Sequence, residues 1–153
     1  MNDVKTVINK IARSIFETVY SPRTKQAIGE FAVRQVKRRT KRGLGVNNKT
    51  LEPLKELKSS TVKTRRALKK NGKLSSDTTP DKSNLTQSGN MLNDLQWEDK
   101  GRSVEINFKT SKSNEKAENN NDKRQFMDLS KQEEEEVANI VARQIAAALK
   151  NIS

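Results

Sequence analysis

Apolar residues recur along this chain with two different periods, and the two periods mark out its elements. Val4, Val7, Ile8, Ile11, Ile15, Phe16 and Val19 follow one another at three- and four-residue intervals, which predicts an amphipathic helix over residues 3–19 with Asp3 as its cap. "YSPR" (Tyr20–Arg23) interrupts it. Ser21 before Pro22 is an N-cap and first-turn pair for a second helix, running to about Arg42 and closed by Gly43. Ala27, Ile28, Phe31, Ala32 and Val36 form its apolar stripe. Residues 44–53 read as irregular, with Gly45, Asn47 and Asn48 as turn formers. A further helix is expected over Ser59–Leu68, and residues 69–83 read as a long exposed loop or arm.

The pattern changes after that loop. Leu85, Met91, Leu92 and Leu95 predict a short helix over 85–95, with Gly89 permitting close backbone approach. Leu95 and Trp97, then Val104, Ile106 and Phe108, alternate with polar residues on either side of Asp99-Lys100-Gly101-Arg102. This period of two around a glycine turn predicts a β-hairpin. Residues 110–124 read as a polar loop, with room for one helical turn around Ala117. Phe126 and Leu129 then anchor a C-terminal helix. Ser130 and Glu133 form its capping box, and Val137, Ile140, Val141, Ile145, Ala148, Leu149 and Ile152 its apolar face. The expected class is α+β: amphipathic helices packed on a small antiparallel hairpin, in a single domain of 153 residues without internal repeats.

Composition limits how much of this pattern can be buried. Only 31% of residues are hydrophobic and 33% are charged, so the core is modest and part of the apolar surface is expected to order in an assembly. The net charge of +12 is unevenly placed: +9 over residues 1–50, +6 over 51–73 and −3 over 74–153. A basic front and an acidic rear suggest two faces with different partners. With neither cysteine nor histidine, disulfides and thiolate or imidazole metal sites are excluded. No cofactor is expected. The start lacks the uninterrupted apolar run of a signal peptide, and no stretch approaches a membrane span, so synthesis in the cytoplasm and no membrane partner are expected.

Candidate chemistry is correspondingly thin. Asp94, Glu98 and Asp99 lie near Trp97, but turn and strand placement accounts for the last two, and an enzyme is not expected. Gly43 and Gly45 lack the strand and helix that a phosphate loop requires. Two cationic clusters remain, Arg34, Lys37, Arg38, Arg39, Lys41 and Arg42, and Lys63, Arg65 and Arg66 with Lys69 and Lys70. Either could meet nucleic-acid phosphate, or an acidic protein surface. Six aromatic residues, mostly at core-like positions, do not make a stacking platform for single strands. Glu133, Glu134, Glu135 and Glu136 open the last helix, where negative charge offsets the dipole; in an oligomer they could also face a neighbour's Arg38 and Arg39.

The order of motifs from about residue 30 to 150 resembles the phage virion morphogenesis and tail completion proteins, including the Mu-like group. "LTQSGNMLNDL" (Leu85–Leu95) resembles their Leu-(Thr/Ser)-x-(Thr/Ser)-Gly-x-(Leu/Met) segment. It leads into the hairpin "QWEDKGRSVEINFK", the polar "NEKAENNN", and "RQFMDLS" (Arg124–Ser130) opening the last helix. Upstream, "LGVNNKTLEPLKELKSSTVKTRR" is similar to its family counterpart, with Leu51, Leu54 and Leu57 before a basic helix. The family often has proline where Gln125 stands and a more basic residue near Gln87 or Ser88, so no role is carried over there. The resemblance implies a non-enzymatic component of the head–tail neck, in the virion, forming a ring around the DNA path. Its partners would be copies of itself, head-connector, adaptor, tail terminator or tail tube proteins, and the DNA in the lumen. Leu85, Gly89, Met91, Leu92, Trp97, Phe126 and Leu129 would be its packing motif. The alternative is a small DNA- or RNA-binding protein using the 34–42 helix.

Overall fold

A computed structural model describes residues 4–74, 76, 78–85, 90–121 and 125–151. The element order is α1 (Val4–Val19), α2 (Pro22–Lys41), β1 (Leu44–Asn47), β2 (Thr50–Pro53), α3 (Ser59–Lys70), α4 (Asn90–Asn93), β3 (Leu95–Asp99), β4 (Val104–Phe108), α5 (Ser111–Asn121) and α6 (Lys131–Leu149). The class is α+β, helices on two antiparallel two-stranded hairpins, β1–β2 and β3–β4.

The second hairpin forms where alternation predicts it, pairing Leu95 with Phe108 and Trp97 with Ile106. Its turn is closed by the Asp99 carboxylate, which accepts from the Gly101 N–H at 2.8 Å and from Lys25 Nζ of α2 at 2.8 Å. α2 begins as expected: the Ser21 hydroxyl accepts from the Thr24 N–H, Pro22 occupies the first turn, and Gly43 (φ +81°) leaves the helix in the left-handed region. At α6, Ser130 accepts from the Glu133 N–H while the Glu133 carboxylate accepts from the Ser130 N–H at 2.8 Å, the full capping box.

Four expectations are corrected. Residues 44–53 form a hairpin, because Asn48 (φ 46°) and Lys49 (φ 65°) both take the left-handed conformation that a two-residue loop matched to strand twist requires. The expected helix over 85–95 shrinks to Asn90–Asn93 among the described residues, with Leu85 at φ 54° outside any helical path; Gly89 lies outside the described residues. Residues 110–124 hold the three-turn helix α5 over Ser111–Asn121, whose Ser113 and Ala117 face inward. The stretch 69–83 is not a free arm throughout. Thr78, Ser83 and Asn84 are buried, Arg65 donates to the Lys82 carbonyl at 2.7 Å, and Arg66 pairs with Asp81 at 3.0 Å.

The core gathers Val36 of α2, Leu54, Met91 and Leu92 of α4, Leu95 and Phe108 of the second hairpin, Ala117 of α5 and Phe126. Three fully buried side chains, Val36, Leu92 and Phe126, come from segments far apart in sequence. Gly29 admits the tryptophan to α2: a Cβ there would lie 2.4 Å from the Trp97 ring. α1 stands apart from this core. It packs against α6, yet buries none of its residues, and Val4, Val7, Ile8, Ile11 and Phe16 remain exposed.

Candidate functional site

The cationic end of α2 is divided by burial. Arg39 is 4% exposed and turns inward: its Nη1 donates to Glu133 Oε2 at 2.6 Å, and its Nη2 donates to the Phe126 carbonyl at 2.8 Å and to the Asp128 carbonyl. The guanidinium fork therefore satisfies carbonyls of the segment that leads into α6 as well as the carboxylate at its start. Arg39 and Glu133 were both candidates for meeting a partner. Each is occupied by the other inside one chain, so neither is free to pair with a partner's charge. Arg65 is likewise buried on the Lys82 carbonyl, while Lys63 is exposed and Arg66 is exposed on Asp81.

Arg34, Lys37, Arg38, Lys41 and Arg42 do reach the surface, and Arg34, Arg38 and Arg42 form no ion pair among the described residues. The first four rim an open groove of about 530 Å³ between α2 and β3, whose apolar floor is Val33, Leu95 and Trp97. Lys37 sits half-buried in this rim. Burial holds its ammonium below the usual lysine range, reinforced by repulsion from Lys109 and Lys41 and opposed by Asp94. The groove combines charge with a flat aromatic edge. The sequence pattern points to the charge but not to the floor, because Trp97 belongs to a strand and Val33 to a helix some sixty residues earlier.

The acidic run is divided in the same way. Glu133 is inside, and Glu134 pairs with Lys49 at 2.9 Å beside the Lys49–Asp128 pair at 2.9 Å, which fixes the β1–β2 turn to the start of α6. Glu135 and Glu136 face outward. Glu136 lies on the rim of a second groove of about 430 Å³, lined also by Phe31, Leu44, Leu51, Arg38 and Arg42. Leu51, at the edge of the first hairpin, is 41% exposed.

The carboxylates near Trp97 do not form a site. Asp94 accepts from Thr110 and Ser113, Glu98 accepts from Asn107 at 2.8 Å and pairs with Lys100, and Asp99 is engaged by Lys25 and Gly101. Hydrogen bonds hold Asp94, Glu98 and Asp99 below the usual carboxylate range, from Ser113, Lys100 and Lys25 respectively. Each carboxylate has a separate structural task, and no group of three Asp or Glu among the described residues is placed to hold a metal. Of the packing motif, Met91, Leu92 and Phe126 are fully in the core; Leu85, Trp97 and Leu129 are half-buried around it. No described helix is long and apolar enough to cross a membrane.

No protein-family model, no curated protein and no solved structure matches this chain.

Proposed function

We propose that this chain is a structural assembly subunit, a tail completion or head–tail joining component of a phage neck that works as a ring around the DNA path. The observation that carries this reading is α1. A chain with few apolar residues to bury leaves most of its most regular apolar stripe, Val4, Val7, Ile8, Ile11 and Phe16, in solvent, although α1 lies against α6. The total accessible surface is 10397 Å², against about 7,800 Å² for a compact 17.3 kDa monomer. Such an excess suits a protein finished by its neighbours. The order of motifs from the basic helix to "RQFMDLS" supports the phage neck as the setting, and the separately engaged carboxylates favour a non-enzymatic role. Removing the gene from the phage that encodes the chain should leave filled heads and tails unjoined; infectious, fully joined particles without it would rule the reading out.

A second reading is favoured by one observation, the unpaired Arg34 and Arg38 beside the Trp97 groove. It is a small nucleic-acid-binding protein that uses this face. Duplex binding that persists at physiological salt and is lost in Arg34→Glu/Arg38→Glu would favour it. Arg39 is left unchanged in this variant, since its guanidinium is buried on Glu133 and its loss would destabilise the core.

A further inference from the structure

Arg34 and Arg38 are exposed, form no ion pair among the described residues, and stand with Lys37 and Lys41 over the open groove between α2 and β3. We propose that this groove docks an acidic segment of a partner protein, with an apolar side chain of that segment on the floor and its carboxylates on the rim. This rests on the reading of the chain as an assembly subunit and names the class of partner that one of its faces takes.

Charge selects an acidic partner. The lining holds four cations against one carboxylate, Glu30, which already accepts from Gln26 at 2.8 Å. Asp94, the carboxylate that acts on Lys37 from outside the lining, is engaged by Thr110 and Ser113. The guanidinium forks of Arg34 and Arg38 are therefore left for an incoming anion, and their planar geometry suits a carboxylate.

The floor selects a protein segment over nucleic acid. It is apolar, made by Val33, Leu95 and Trp97, with Val33 and Trp97 half-buried. A duplex would meet the cations through its phosphates and leave this floor unused. Single strands stack their bases on a series of aromatic rings, whereas Trp97 is the one aromatic residue of the lining, and its indole is held against α2 at Gly29. Arg34, Lys37, Arg38 and Lys41 stand at positions i, i+3, i+4 and i+7 of α2, so the rim is about 10 Å long, the span of about three residues of extended chain. That length takes one apolar anchor with a carboxylate on either side.

The test uses the full chain and a synthetic octapeptide with a central Leu-Leu pair among Asp and Glu residues. Fluorescence anisotropy of the labelled peptide at physiological salt should give a Kd below about 100 µM. Unlabelled peptide should shift the emission of Trp97, the sole tryptophan, to the blue as the leucines cover the indole. Changing the leucines to serine, or the acids to their amides, should each weaken binding at least about tenfold. Arg34→Glu/Arg38→Glu should do the same, with circular dichroism to confirm that the variant is folded. The peptide comparisons are made on the wild-type chain and do not depend on that variant. No binding up to about 100 µM, unchanged Trp97 emission, or a serine peptide that binds as well as the leucine one would each overturn the proposal. A DNA duplex of about 20 base pairs that binds more tightly than the peptide at the same salt would also overturn it, in favour of the nucleic-acid reading. Failure here is separable from failure of the neck reading. A chain found at the neck of virions whose groove ignores the peptide loses only this site. One that binds the peptide as described but has no place in virions keeps the site and loses the neck.

Discussion

Arg39 Nη1 donates to Glu133 Oε2 at 2.6 Å, joining the last turn of α2 to the first turn of α6 through a buried pair ninety-four residues apart in sequence. The same carboxylate caps α6 through the Ser130 N–H, and the same guanidinium holds the Phe126 and Asp128 carbonyls. One pair thus closes a helix, a loop and the core. Arg39→Ala leaves a carboxylate and two carbonyls buried without their donor, and should cost about 3–5 kcal/mol in urea unfolding. The double variant Arg39→Met/Glu133→Leu should recover only part of that loss, because the cap and the carbonyl contacts are not replaced.

Gly29 and Trp97 give a second check. Gly29→Ala forces a methyl into the ring position and should destabilise by about 1–3 kcal/mol. Because Trp97 is the sole tryptophan, its fluorescence should shift to the red in the folded variant as the indole is pushed towards solvent.

The core and α1 should respond differently to truncation. Phe126→Ala is expected to cost about 3–5 kcal/mol in the monomer. Ile8→Ala should change monomer stability by no more than about 0.5 kcal/mol, since the side chain is 58% exposed, while it weakens self-association. A large loss of monomer stability in Ile8→Ala, read from urea unfolding at low protein concentration, would mean that α1 belongs to the core.

Acidification should destabilise the fold. Folding lowers the pKa of Asp94 through hydrogen bonds from Ser113 and Thr110, so its contribution is complete above the ordinary aspartate value of about 3.9 and is lost as pH falls through the lower, folded value. Asp99 and Glu98 carry the same sign, through Lys25 and Lys100. Thermal melts should therefore flatten above about pH 5 and fall below pH 4, with a shallower fall in Asp94→Asn.

Much of the fold is legible in the sequence, and what is hidden is hidden for identifiable reasons. α2, the β3–β4 hairpin and α6 announce themselves because their periodicity and caps are local: Ser21-Pro22, Asp99 to Arg102, and Ser130 with Glu133. α5 is missed because "SKSNEKAENNN" has a single apolar residue, Ala117, to show a helical period, and the helix is held by packing that ring of segments around Phe108 and Phe126. The first hairpin escapes because its strands are four residues long and its turn takes Lys49 into a conformation lysine rarely adopts. At the site, a run such as "RQVKRRTKR" shows that charge is present. It does not show that one of its members, Arg39, is turned inward, since burial there is decided by Glu133 at the far end of the chain.

The central claim, a subunit of the neck whose function lies in its contacts, is tested most directly by locating the chain in virions. Gold labelling of a C-terminal tag, viewed by electron microscopy, should place the label at the head–tail junction of particles from the phage that encodes it. Label that is absent from the virions, or that lies away from that junction, would contradict the account.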